Sequence, residues 1–231
     1  MKHEAKRTVC RTTRSNGPGA RDARAPAAER MVSWLQKDHI VIDRIHILGA
    51  SGSGTSTLGA ALAERLGSVH LDTDHYFWEP TDPPFQRPRA REERCTLLTA
   101  ALDAHPRWTL SGSLCCWGDL FIPRFELVIF LFVPTEIRLA RLRERERQRW
   151  GAKALAPGGP MHATHVAFLN WAAAYDEGDN DMRSRGHHEQ WLARLPCPCL
   201  RLEGPLTIAE QLTRVEEWVA ERELKNRRAA S

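Results

Sequence analysis

A run of small residues, Gly49-Ala50-Ser51-Gly52-Ser53-Gly54-Thr55-Ser56, stands between an apolar stretch, Ile45-His46-Ile47-Leu48, and a segment from Thr57 to Leu66 whose leucines and alanines recur at helical spacing. Three glycines let a backbone turn tightly with no Cβ in the way, so consecutive amides can converge on an anion. A helix that starts there adds unpaired amides and the positive end of its dipole. The order strand, glycine turn, helix therefore predicts a phosphate cradle. Its expected contacts are Gly49, Ser51, Gly52, Ser53, Gly54, Thr55, Ser56 and Thr57. A glycine turn before a core helix, with no ligand, is the plainer alternative.

Against the P-loop pattern G-x-x-x-x-G-K-[ST], Gly49 and Gly54 match, and Ser56 supplies the hydroxyl expected on Mg²⁺. Thr55 stands where the pattern has lysine. A threonine offers one hydrogen bond but no charge, whereas that lysine neutralises the β and γ phosphates.

The 231 residues suit one α/β domain with a substantial core. The net charge of +4 is unevenly spread. Residues 1–30 hold eight Lys or Arg against Glu4, Asp22 and Glu29, so the remainder is close to neutral and no nucleic-acid partner is expected. Residues 1–35 read as a disordered basic tail, 36–224 as the domain, and 225–231 as a frayed tail. Six cysteines lack zinc-knuckle spacing and follow no secretion signal, so they read as reduced thiols in the cytoplasm. No apolar segment is long enough to cross a bilayer.

Along the domain, a first strand is expected over 40–48, a helix over 56–66 closed by Gly67, and a second strand at Val69-His70-Leu71. That strand ends in Asp72-Thr73-Asp74, one strand over from the cradle, where ligands of parallel sheets gather. One carboxylate can hold Mg²⁺ while the other takes a proton from an acceptor hydroxyl. A helix N-cap with a surface acid is the alternative. Proline-rich residues 80–88 predict an extended loop, with Arg87, Arg89 and Arg91 available to an acidic acceptor. A helix over 89–105 and a third strand at Trp108-Thr109-Leu110 follow. Ser111-Gly112-Ser113 then offers amides and hydroxyls to a substrate. Phe125–Val133 is the plainest buried strand, and Pro134 closes it. The next helix, Thr135–Trp150, is expected to bury Ile137, Leu139, Ala140 and Leu142. Its arginine-rich end precedes a flexible 151–159 segment, as in a mobile lid spanning about 145–190. A fifth strand over 196–202 and a closing helix over 205–222 complete the chain.

This order of motifs resembles the P-loop small-molecule kinases, most closely the shikimate kinase and adenylate kinase branch. The resemblance implies an α/β P-loop NTPase three-layer sandwich, with a five-stranded parallel sheet in the order 2-3-1-4-5 and a helical lid insertion. It further implies ATP and Mg²⁺ as cofactors, and transfer of the γ-phosphate to an unidentified small-molecule hydroxyl or phosphate. Carried over by position, Ser56 and Asp72 would serve the metal, and Asp74 the acceptor. Arg141 would stack on adenine, and Arg145 or Arg147 would meet the phosphates. A monomer or homodimer with no membrane partner is expected. The alternative function is a nucleotide-binding module with little or no catalysis, acting as a sensor or partner-binding protein.

Overall fold

A computed structural model of the protein describes residues 42–178 and 183–229. Five strands form one sheet: β1 (Arg44–Gly49), β2 (Val69–Asp72), β3 (Trp108–Ser111), β4 (Leu127–Phe132) and β5 (Cys199–Glu203). Every neighbouring pair is parallel and the order is β2-β3-β1-β4-β5. The helices are α1 (Thr55–Leu66), α2 (Thr73–Phe77), α3 (Arg91–Asp103), α4 (Thr135–Trp150), α5 (Ala152–Leu155), α6 (His162–Ala173), α7 (Arg185–Leu192) and α8 (Ile208–Ala229). A 3-10 turn covers Asp119–Arg124. The three-layer α/β P-loop fold implied by the resemblance is present.

Strand periodicity builds the layers. On β4, Leu127, Ile129 and Leu131 join Ile45, Ile47, Leu58 and Leu62 in one core, beneath α1 and α8. Val128 and Phe130 face the other way, with Leu48, Leu98, Leu102, Trp108 and Trp191. A strand covered on both faces must be apolar throughout, and β4 reads that way. The carboxyl ends of β1, β2 and β3 carry Gly49, Asp72 and Ser111 to one rim of the sheet.

Several expectations need correction. After β2 a short helix not expected from the sequence, α2, begins at Thr73, where the Asp72 side chain caps it by accepting from the Asp74 amide at 3.0 Å. On α4 the buried positions are Arg138, Leu142 and Glu146, while Ile137 and Leu139 are half-buried and Ala140 is exposed. The 151–159 segment contains α5, and the Met161 amide donates back to the Ala154 carbonyl at 3.0 Å. On α3, Leu98 and Leu102 are fully buried and Cys95 packs against the same core, while Leu97 is 40% exposed. The closing helix continues past 222, with Arg227 and Arg228 in its last turn. The tail expected over 1–35 lies outside the described residues. Among the described residues no helix is long and apolar enough to cross a membrane.

Candidate functional site

The turn after β1 is shaped by its glycines and by what presses on it. A Cβ on Gly49 would sit 2.6 Å from Ser53 Oγ and 2.7 Å from the Leu131 carbonyl, so only glycine fits there. Gly52 and Gly54 have φ of 82° and 99°, in the left-handed region that favours glycine. The Ser53 amide donates to the Ala50 carbonyl at 3.1 Å, which closes the turn. A Cβ on Gly54 would meet nothing within 4 Å; the space it would fill is the hollow of the cradle. Helix α1 then starts with no side-chain cap and no acidic residue in its first turn. Its leading amides are left for an anion.

The cleft over this turn has a volume of about 330 Å³. The expected Gly49, Ser51, Gly52, Gly54, Thr55, Ser56 and Thr57 all line it, together with Asp72, Asp74, Arg141 and Arg145. Ser53 does not: it is buried beneath the turn. Arg147 lies outside the lining as well, and pairs with Glu144 at 2.8 Å on the exposed side of α4. Arg141 Nη1 stands 3.4 Å from the Gly52 and Ser53 carbonyls, along the edge of the turn.

Two carboxylates take different surroundings. Asp72 Oδ2 accepts from Ser56 Oγ at 2.5 Å and from Ser111 Oγ at 3.1 Å, while Oδ1 caps α2. Asp74 carries no such set of donors. Burial, then the Asp72 charge, push its carboxyl above the usual value, against the opposing pull of Arg183, Arg145 and His75. One acid is thus held as a fixed acceptor, and the other has its carboxyl pushed up. The oxygen pair of Ser56 and Asp72 suits a hard divalent cation that keeps waters and phosphate oxygens as its remaining ligands. Among the described residues no cluster of three His, Cys, Asp or Glu could hold a metal unaided.

Arg183 is a cleft residue that sequence reasoning missed. Its Nη2 donates to Ser51 Oγ at 2.7 Å, and its guanidinium lies 4.8 Å from the centre of the Trp171 ring. Its Nε is buried without a partner. No motif spacing flags it, since it follows α6 far downstream. Behind it, His188 is hydrogen-bonded through Nδ1 to the Tyr175 hydroxyl at 2.7 Å and through Nε2 to the Ser113 hydroxyl at 3.0 Å, one ring nitrogen donating and the other accepting, which joins α7 to the turn after β3. The hydroxyls of Ser111 and Ser113 are therefore engaged inside the protein, and of that turn only Gly112 lines the cleft. Of the arginines assigned to an acceptor, Arg87 pairs with Glu79 and Arg89 with Glu93.

No protein-family model matches the chain. It is 47% identical over 176 residues to "Uncharacterized protein YqaC" of Bacillus subtilis (strain 168), a match covering 76% of this chain and 97% of that protein. Solved structures with a similar course include a shikimate kinase from Bacteroides thetaiotaomicron (20% identity, TM-score 0.48, covering 78% of this chain and 99% of that one). A gluconokinase from Sinorhizobium meliloti is similar at 16% identity and a TM-score of 0.47, covering 81% and 97%. These likenesses are distant; the sheet order and the cradle carry the fold assignment.

Proposed function

The chain belongs to the same family as YqaC of Bacillus subtilis, and we propose that this member is a phosphotransferase that moves the γ-phosphate of ATP to a small-molecule hydroxyl or phosphate. The observation that carries this reading is the meeting, in one cleft, of open amides after Gly49, the Ser56–Asp72 oxygen pair, Asp74 with its carboxyl pushed up by burial, and Arg145 with Arg183. Phosphoryl transfer needs positioning and positive charge more than covalent chemistry. The cradle amides hold the phosphates, and Ser56 with Asp72 would hold Mg²⁺, which when bound neutralises charge on the transferring group. Arg183 and Arg145 supply the cationic character that Thr55 lacks. Asp74 accepts the proton of the acceptor hydroxyl.

The reading is tested by calorimetry with a non-hydrolysable ATP analogue and Mg²⁺. Saturable binding that is lost on filling the hollow of the turn with Gly54→Val supports it; no heat from the unaltered protein overturns it. One observation favours the alternative of a nucleotide-binding module without turnover, namely the uncharged side chain at Thr55. Release of ADP only when an acceptor library is supplied decides between the two.

A further inference from the structure

Strand alternation puts His70 and Asp72 on the same face of β2, and the parallel register sets Ser111 of β3 directly beside Asp72. His70 Nε2 lies 2.9 Å from Ser111 Oγ, and Ser111 Oγ lies 3.1 Å from Asp72 Oδ2, which in turn takes the Ser56 hydroxyl. Four side chains thus form one chain from the flank of α1 to the rim of the cleft. The helix makes room for it: a Cβ on Gly59 would fall 2.6 Å from His70 Nε2 and 3.2 Å from Ser111 Cβ. Glycine at this place in α1 leaves a notch in the helix surface, and the ring packs into it.

We propose that His70 is a positioning residue: by donating from Nε2 to Ser111, it turns the serine proton onto Asp72 and fixes the carboxylate that faces Ser56. The direction follows from counting protons. Ser111 has one, and ionised Asp72 offers only acceptors. If His70 presented a lone pair at Nε2, Ser111 would donate to the ring and turn its own lone pairs toward the carboxylate 3.1 Å away. With a proton on Nε2 every member is satisfied, and Oδ1 stays free to cap α2 through the Asp74 amide. His70 does not line the cleft; it acts through Ser111 and Asp72 alone. The part of the argument that concerns Mg²⁺ rests on the proposed function.

Two measurements separate the two readings. Long-range nitrogen–proton correlation spectra of the ligand-free protein should show the His70 proton on Nε2, and Ser111→Ala should shift that nitrogen; a proton found only on Nδ1 overturns the proposal whatever the protein binds. Calorimetry with the non-hydrolysable ATP analogue, with Mg²⁺ and with chelator, then reads the gain due to the metal. His70→Leu should reduce that gain about tenfold and leave metal-free affinity unchanged. Ser111→Ala should match it, and His70→Gln, which keeps a donor near Nε2, should restore the gain. An unaltered gain in His70→Leu, or in Ser111→Ala should the leucine variant not fold, overturns the proposal. No analogue binding by the unaltered protein would instead sink the proposed function, and the spectra alone would then decide on His70.

Discussion

Arg183 reaches back 132 residues to touch Ser51 within the glycine turn, Nη2 to Oγ at 2.7 Å. A guanidinium held against an uncharged cradle changes where the site's positive charge resides. Arg183→Ala should therefore weaken binding of the Mg²⁺–ATP analogue by about tenfold to a hundredfold, the range of a lost charge-assisted hydrogen bond of about 1.5–3 kcal/mol. Arg183→Lys should recover part of this, because it keeps the charge and loses the planar fork. Calorimetry reads both; equal affinities in all three proteins would remove Arg183 from the site.

Asp74→Asn should lower turnover by about 10²–10⁴ and leave analogue affinity within about threefold. The pH profile gives a second reading. The carboxyl must be ionised to accept a proton, and burial raises its value above 3.8, so the acid limb of the rate should lie above that of an ordinary aspartate. The limb should vanish in the asparagine variant. A variant as active as its parent at every pH would discard Asp74 as the base.

Thr55 opens α1 and lines the cleft. Thr55→Lys should raise analogue affinity about tenfold, since an ammonium there adds one charge-assisted bond to phosphate. The same substitution in an Arg183→Ala background should compensate for the lost guanidinium. Failure to gain affinity in either background would show that the turn does not present position 55 to the nucleotide.

Two buried imidazoles make stability depend on pH. His46 is fully enclosed, stacked 4.9 Å from Phe125, and burial pulls it down to about 4. His188 is pulled down to about 3, by burial and then by the Arg183 charge. Both values lie below that of an unfolded histidine, so unfolding takes up protons as pH falls below about 6.5. The free energy of unfolding should drop by about 3 kcal/mol between pH 6.5 and 5, a loss that continues toward pH 4. Urea titrations at pH 7, 6 and 5 measure it; about half the drop would mean that one ring takes up its proton in the folded state as well, and a flat profile that both do.

The cradle was legible because its determinants are contiguous: β1, the glycines and α1 lie within residues 44–66. Alternation of strands and helices pointed to a parallel sheet, and its order came with the resemblance to the P-loop kinases. The choice between Arg145 and Arg147 was open to reasoning and was not made. Residues four apart share a helix face and residues two apart do not, so Arg145 follows Arg141 into the cleft while Arg147 turns to Glu144. Reading Asp72 as either metal group or helix cap posed a false choice, because a carboxylate has two oxygens: Oδ1 caps α2 while Oδ2 faces Ser56. Arg183 was out of reach, since nothing in residues 178–185 signals that the chain returns to the turn after Gly49.

Arg138 is 1% exposed, and its guanidinium donates to the carbonyls of Ser51, Val133 and Ala172 and to Thr135 and Asp176. A carbonyl of the glycine turn is thereby tethered to the end of α6, more than a hundred residues later in the chain. During synthesis, β1 and α1 leave the ribosome long before their tether does. The nascent chain completes this brace only after Asp176 has emerged, so a protein truncated before α6 would carry the whole glycine motif and lack the contacts that hold Arg138 against it.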